Sequence, residues 1–395
     1  MNSVSRSESK FNKCGYGLFF GLFLTAKMLL NMPLSHTDMS DPWSFLFYIT
    51  EYKTIGFVPR ALLGSVCGLF TDYITWKTIY IISFCATVLL IVLASVLFNK
   101  IMTVLPKGRT AVFLFTCTFL LMTDDLFYYF DCNHFGSIDT YNIILTLTAL
   151  AFAGNRKLRW FIPAICTVCM MNYEGYVFAY MPLVGIVLLY YCFKEKSKSS
   201  IAVFVLSCLA IIVSFTYFYA LFRKDQLDMV LCETPEEMKA VLSKHTDAEI
   251  HWMIEQLYYF EGPATFFVDG SWDIAEAFIN SNGTRLECLP SALILFAGTL
   301  SIWIKTRKNE TDKEMKFIYF LCSIAPVASI PFQVFTEQMK YISYFAMTQF
   351  ILILFFALRE ANVRERLKEK EDKFVGNPIV GLIPMCLLVF FRAMW

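Results

Sequence analysis

Hydrophobic runs recur along this chain of 395 residues, and the short polar links between them are alternately basic and acidic. A run of about 20 apolar residues is long enough to cross a bilayer as a helix. The composition agrees, because 57% of the residues are hydrophobic and 40 are Phe, far more than a soluble domain carries. The pattern therefore predicts an all-α fold, a polytopic transmembrane helical bundle.

The apolar runs predict about 11 spans, with 10 to 12 as the range, and three of them (110–124, 139–154 and 160–173) are short for a bilayer crossing. The predicted spans are 14–32, 76–98, 110–124, 139–154, 160–173, 175–193, 201–222, 289–304, 317–334, 342–358 and 377–394. A further apolar stretch at 55–70 contains Pro59, Arg60 and three glycines. We expect this stretch to be a re-entrant or interfacial segment, because proline and glycine disfavour a continuous helix.

The charges in the links predict the orientation. With the N-terminus placed in the cytoplasm, the inner segments carry 23 Lys and Arg residues; they are the N-terminus, 99–109, 155–159, 194–200, 305–316 and 359–374. The outer segments carry 8, and they are 33–75, 124–138, a turn near 172–175, 223–288 and 335–341. Cytoplasmic loops are enriched in Lys and Arg, so the N-terminus is predicted to be cytoplasmic and the C-terminus extracytoplasmic. The first span has no small-residue cleavage site after it, which favours an anchor over a removable signal. The net charge of +1 gives no indication of nucleic-acid binding.

The chain divides at its one long outer loop. We expect an N-terminal transmembrane module at 1–222, an extracytoplasmic loop at 223–288 and a C-terminal transmembrane module at 289–395. Within the loop, Thr234 and Pro235 form a helix start, and Thr246 is spaced from Glu249 as a capping box. Two amphipathic helices are therefore predicted there.

Two groups of residues in the first outer segment could carry chemistry. Asp38 and Asp41 directly follow the first span, where carboxylates can bind a divalent metal or act as a general base. Equally, Asp41 can cap the helix that follows, and Asp38 can be a solvated loop residue. Arg60 lies in an apolar, glycine-rich segment at the membrane boundary, with Lys53 nearby. An arginine at that depth usually has a function, and a guanidinium suits a lipid-linked phosphate, although it can also snorkel to the interface.

The second outer segment is strongly acidic, and a tight outer turn adds one more carboxylate. These residues are candidates for substrate binding or metal ligation: Asp124, Asp125, Asp131, His134, Asp139 and Glu174. Asp139 begins a predicted membrane helix, so it also has a plain capping role near the helix N-terminus. A divalent metal ion, Mg²⁺ or Mn²⁺, is a cofactor that this group would suit, but no cofactor is required by the pattern.

This arrangement resembles the GT-C superfamily, whose members are membrane glycosyltransferases that use polyprenyl-phosphate sugar donors. The resemblance covers mainly residues 14–190. It rests on the outer carboxylates, on the second acidic loop, on Gly56-Phe-Val-Pro59-Arg60-Ala-Leu-Leu-Gly64 and on Phe135-Gly136-Ser-Ile-Asp139. The family usually separates its two first-loop acids by one residue, whereas Asp38 and Asp41 are separated by two.

The resemblance implies an extracytoplasmic sugar transfer between membrane-associated partners, a lipid-linked sugar donor and a glycan or lipid acceptor. Asp38 or Asp41 would be the catalytic carboxylate, and Arg60 with Lys53 would hold the donor phosphate. The Asp124–Asp139 loop and Glu174 would bind sugar hydroxyls or complete a metal site. Four aromatic residues would stack on sugar rings: Trp43, Tyr128, Tyr129 and Trp252.

Two other functions stay open. An O-antigen-polymerase-like enzyme is expected to use more outer-loop arginines than Arg60, Arg223 and Arg285. A transporter or flippase without covalent chemistry is expected to carry charged residues in the centres of its spans, where this chain has mainly Lys27.

Overall fold

The structure, a computed structural model, describes residues 4–39, 42–57, 60–105, 135–173, 175–221, 232, 234–246, 288–325 and 338–376. Every regular element within these ranges is helical, and none of them is a strand. The prediction of an all-α fold is therefore confirmed for the described part of the chain.

The helices in the first part of the chain are α1 Val4–Asn31, a 3₁₀ turn His36–Asp38, α2 Pro42–Ile49, α3 Tyr52–Ile55, α4 Leu62–Cys67, α5 Trp76–Val104 and α6 Ile138–Ala153. Next come a 3₁₀ turn Leu158–Phe161, α7 Ile162–Asn172, α8 Tyr176–Ala179, α9 Met181–Glu195, α10 Lys198–Phe215 and a π-helical segment Thr216–Leu221. The last described helices are α11 Pro235–Leu242, α12 Cys288–Asn309, α13 Lys313–Ile324, α14 Gln338–Arg359 and α15 Ala361–Gly376.

The helices pack as one bundle around α5, α6 and α9. Helix α1 lies along α5, which also contacts α6 and α14. Helix α7 packs between α6 and α10, while α12 contacts α13, α14 and α15. Helix α1 approaches α5 closely because Gly17 and Gly21 lie against Asn99 and Ser95, and the Gly17 backbone N–H donates to Asn99 Oδ1 at 3.1 Å.

Two of the described helices are long and apolar enough to cross a membrane. They are Trp76–Val104, with a mean hydropathy of 2.8, and Lys198–Phe218, with a mean hydropathy of 2.5. Shorter apolar helices lie at Gly15–Leu30, Ile138–Ala153, Leu158–Asn172 and Met347–Arg359. Predicted spans 110–124 and 377–394 lie outside the described residues, so the number of eleven spans stays a prediction.

Two predicted spans are not the uniform helices that the sequence pattern indicated. The run 175–193 is broken into α8 and α9 near Pro182, because proline lacks a backbone N–H and its ring clashes with the preceding turn. The run 201–222 changes from α-helix to π-helix at Thr216. Segments of π-helix are rare in proteins, and those that occur are often found at functional sites.

The apolar stretch 55–70 does not form one continuous helix. It contains the end of α3 and all of α4, and it ends in a turn where Leu69 and Phe70 are 80% and 85% exposed. Helix α4 packs against α2 and α7. Large exposed apolar side chains beside a short helix suit an interfacial segment.

The first amphipathic helix predicted in the long loop is present as α11. Thr234 caps it by accepting a hydrogen bond from the Glu237 backbone N–H at 3.2 Å, and Met238 and Leu242 are buried. The second helix lies outside the described residues. Cys232, just before this helix, is buried, and its thiol donates to the Thr54 carbonyl at 3.9 Å.

Candidate functional site

Arg60 lies at the point where α2, α4 and α7 meet. Its guanidinium carbon lies 4.8 Å from the centre of the Tyr173 ring and 6.0 Å from that of Phe47. Its backbone adopts a left-handed conformation, with φ +64°, which is uncommon for a residue with a Cβ. Such strain is retained where the surrounding structure enforces it, and it clusters at functional sites.

Gly64, which ends the Arg60 motif, and Gly68, four residues later, allow this segment to lie close to the residues after α2. A Cβ added at Gly64 would collide with the Thr50 backbone, and one added at Gly68 would collide with the Glu51 carboxylate. Ser65 links the same two parts of the chain, since its Oγ accepts a hydrogen bond from the Tyr52 N–H at 2.8 Å. The segment that carries Arg60 is therefore fixed against the end of α2 by backbone contacts.

Aromatic side chains from the π-helical segment form a wall beside this motif. The Phe57 ring lies 5.4 Å from the rings of Tyr217 and Phe218, centre to centre, and 4.9 Å from that of Tyr52. The Tyr217 hydroxyl also donates to the Phe57 carbonyl at 3.5 Å. Sequence reasoning missed this wall, because aromatic residues at the end of a span are equally expected from the membrane interface.

Of the two predicted carboxylates that the structure describes, only Asp139 is buried completely. Its exposure is 0%, and its Oδ2 accepts a hydrogen bond from Ser137 Oγ at 3.0 Å. Ser137 is the N-cap of α6, and Tyr180 lies close enough for electrostatic interaction with Asp139. Burying a carboxylate is costly, so a position like this one is a candidate for function as well as for capping.

Buried hydrogen bonds join the start of α6, where Asp139 lies, to the end of α7, next to the Arg60 region. Asn172, at the end of α7, donates to the Ile138 carbonyl at 3.1 Å and to Asn142 Oδ1 at 2.9 Å. Tyr173, whose ring lies under the Arg60 guanidinium, follows Asn172 directly. The start of α6 and the end of α7 are therefore locked together next to the cation.

A second buried network holds α2 against α5 and α6. The Tyr48 hydroxyl donates to the Gly136 carbonyl at 3.1 Å and is hydrogen-bonded to the hydroxyls of Ser83 and Tyr141. Gly136 has φ +99°, and a Cβ there would collide with Ser83 Oγ, so only glycine fits. This explains the Phe135-Gly136 pair in the predicted second-loop motif.

The remaining predicted site residues have different environments. Asp38 is exposed, as the solvated-loop alternative predicted, and its Oδ2 accepts from the Ser35 N–H at 2.9 Å within a capping box that the sequence analysis did not predict. Lys53 is exposed on α3, and Trp43 lies in α2. The other nine lie outside the described residues: Asp41, Asp124, Asp125, Tyr128, Tyr129, Asp131, His134, Glu174 and Trp252.

The predicted divalent metal site falls mostly on residues that the structure does not describe. In the described ranges, no group of three or more His, Cys, Asp or Glu side chains could hold a metal ion. Because most of the predicted ligands lie outside those ranges, a divalent metal stays a prediction.

An ion-pair cluster lies at the other end of α6, where sequence reasoning had placed no site. Arg159 is 2% exposed, and it donates to both carboxylate oxygens of Glu195 at 3.0 and 3.1 Å. It also donates to the Ala153 carbonyl and to Ser200, and its guanidinium carbon lies 4.1 Å from the centre of the Tyr191 ring. The guanidinium thus makes four hydrogen bonds with its five N–H donors, to residues of α6, α9 and α10.

The contact between Arg159 and Glu195 should make the stability of the folded protein depend on pH. Hydrogen bonding and attraction from Arg159 lower the pKa of Glu195. A lowered pKa in the folded state contributes stability that is present above the unfolded pKa, which is about 4.3 for Glu. We expect the thermal midpoint of the purified protein to stay level from neutral pH to about pH 5 and to fall at lower pH. Glu195→Gln removes the titrating group and is expected to flatten that fall; an unchanged profile would contradict the assignment.

No family model, curated protein or solved structure matches this chain.

Proposed function

We propose that this chain is a polytopic membrane glycosyltransferase that transfers a sugar from a polyprenyl-phosphate donor to an acceptor on the extracytoplasmic face. The observation that carries the proposal is the Arg60 guanidinium, held over the Tyr173 and Phe47 rings by a docked and strained segment. A stacked guanidinium keeps its N–H donors at the rim of its plane, which suits a phosphate.

Contacts among the basic segments support the proposed orientation. The segment at the end of α9 forms ion pairs with three other segments that are predicted to be cytoplasmic, through Lys194, Glu195 and Lys196. Glu195 pairs with Arg156 and Arg159, Lys194 with Glu360 at 3.1 Å, and Lys196 with Glu314 at 3.3 Å. Asn362 further joins two of these segments by donating to Glu310. Segments with an excess of positive charge thus meet at one end of the bundle.

Contacts among the outer segments support the same orientation. The Ile74 N–H donates to the His245 carbonyl at 2.7 Å, and the His245 ring contacts the Asp72 carbonyl. These bonds join the first outer segment to the long loop. The Arg60 region belongs to that end of the bundle, opposite the Arg159 cluster along α6 and α7.

The proposed reaction assigns a separate step to each charged group. An acceptor hydroxyl attacks the anomeric carbon of the sugar, and the bond between that carbon and the phosphate oxygen breaks. Arg60, with Lys53, stabilises the negative charge on the departing polyprenyl phosphate. The hydroxyl proton passes to a carboxylate of the first outer segment, Asp38 or Asp41, acting as general base. Sugar hydroxyls would be bound by the acidic second loop and Glu174.

A transporter without covalent chemistry is the second candidate, and one observation favours it. Asp139 is fully buried among helices, beside Tyr180. Ionisable groups inside a membrane bundle mark ion and proton pathways. The transferase ranks first, because a fixed cation among aromatic rings serves a phosphate-bearing donor more directly than it serves an ion path.

The test is sugar transfer in proteoliposomes from a panel of polyprenyl-phosphate sugars. Wild-type protein is expected to transfer at least one sugar, and Asp38→Asn or Asp41→Asn is expected to abolish that transfer while leaving the protein folded. Empty liposomes are the blank. Absence of transfer from every donor, or equal transfer by both Asp variants and wild type, would contradict the proposal and favour the transporter.

A further inference from the structure

An apolar cavity lies in the half of the bundle that is remote from Arg60. It has a volume of about 190 Å³ and is lined by residues of α1, α5, α6 and α14. Its lining is apolar except for Lys100 and Arg359. An engineered protein cavity of about 150 Å³ is large enough to bind benzene, so this one can hold a segment of hydrocarbon.

Both cations lie at the same end of the cavity. Lys100 is in the last turns of α5, and Arg359 is the last residue of α14. Gly154, directly after α6, lets the guanidinium lie against the end of that helix, because a Cβ there would collide with it. The neighbouring carboxylate of Glu360 is engaged elsewhere, with the Tyr190 hydroxyl and Lys194. The end of the cavity is therefore positive.

The cavity is as deep as one leaflet of a membrane. Its lining extends along α5 from Lys100 to Leu90 and along α14 from Arg359 to Met347. At 1.5 Å per residue these stretches span about 15 and 18 Å. Half of the hydrocarbon core, which is about 30 Å thick, is about 15 Å. A lipid whose headgroup lay at the two cations would have its chain along this apolar lining.

We propose that this groove binds an anionic phospholipid of the cytoplasmic leaflet, with one acyl chain between α1, α5, α6 and α14 and the phosphate between Lys100 and Arg359. Basic pockets between membrane helices on the cytoplasmic side suit anionic lipid headgroups. The proposal rests on the membrane insertion and orientation proposed above, and it does not depend on sugar transfer.

The test measures lipid retained by the full chain in nanodiscs that contain equal amounts of phosphatidylglycerol and phosphatidylcholine with identical acyl chains. After transfer to detergent, more phosphatidylglycerol than phosphatidylcholine is expected to co-purify with the protein. The double variant Lys100→Gln with Arg359→Gln is expected to lower its retention at least tenfold, leaving the thermal midpoint of the delipidated protein unchanged. A matched control is Lys157→Gln with Lys308→Gln, which removes two exposed cations outside the groove.

Equal retention of the two phospholipids would overturn the proposal. So would an equal loss in the control variant, because binding would then follow surface charge and not the groove. A second variant, Ala151→Phe, narrows the apolar part without changing charge and is expected to lower retention too. Since no sugar donor is present, failure of this test leaves the proposed transferase activity unaffected.

Discussion

Arg60→Ala is expected to lower sugar transfer by about 10² to 10³-fold, the usual cost of removing one group that stabilises developing negative charge. The guanidinium is the cation that the structure holds over Tyr173 and Phe47. In the proposed reaction, alanine would leave the departing phosphate without that cation. Transfer by the purified variant in proteoliposomes, at saturating donor, measures the effect. Arg60 is only half-buried, so the variant should still fold.

Two further variants separate charge from geometry. Arg60→Lys keeps the charge but not the planar stack, and we expect it to recover only part of the activity. Arg156→Ala removes an arginine that is 74% exposed at the other end of the bundle, and it is expected to leave transfer unchanged. Full activity in Arg60→Ala, or the same loss in Arg156→Ala, would show that Arg60 does not hold the donor.

Arg159→Ala is expected to destabilise the folded protein by about 3 to 5 kcal/mol, because breaking a buried ion pair leaves the remaining charge poorly compensated. The Glu195 carboxylate would lose two hydrogen bonds, and the Ala153 carbonyl would lose a third. Denaturant unfolding in mixed micelles, followed by circular dichroism, measures the loss.

Arg156 provides the matched comparison for this stability effect too. It also pairs with Glu195, at 3.3 Å, but from an exposed position, and exposed pairs contribute about 0 to 1 kcal/mol. Arg156→Ala is therefore expected to change the free energy of unfolding little. The loss in Arg159→Lys is expected to lie between those of Arg156→Ala and Arg159→Ala. Similar losses for Arg156→Ala and Arg159→Ala would mean that burial of the pair is not what stabilises the bundle.

The all-helical class and the start of α11 were predictable, because both depend on local sequence. Apolar runs of helical length need only composition, and a Thr234-Pro235 cap needs only neighbouring residues. The Gly56–Gly64 motif could also be recognised in the sequence, but the sequence did not show why its glycines are needed. A Cβ at Gly64 would collide with Thr50, and a Cβ at Gly68, just after the motif, would collide with Glu51. Such contacts depend on the folded structure and cannot be read from local sequence.

The contacts that organise the bundle could not be read from the sequence. Arg159 looked like one of many cytoplasmic cations, but its burial depends on Glu195, 36 residues away. Asp139 was ambiguous between capping and function, since its burial depends on the packing of other helices around it. The π-helical segment at Thr216 has no local signal either, because the surrounding run is uniformly apolar.

The central claim is that the Arg60 region and the Arg159 cluster lie on opposite sides of a membrane. The most direct test places a cysteine at Lys53 or at Lys308, two exposed positions at opposite ends of the bundle, and adds a membrane-impermeant thiol reagent to intact cells. Signal from the native cysteines is measured in wild type and subtracted. We predict that Lys53→Cys is labelled in intact cells and that Lys308→Cys is labelled only after permeabilisation. Equal labelling of both without permeabilisation, or the reverse order, would contradict the account.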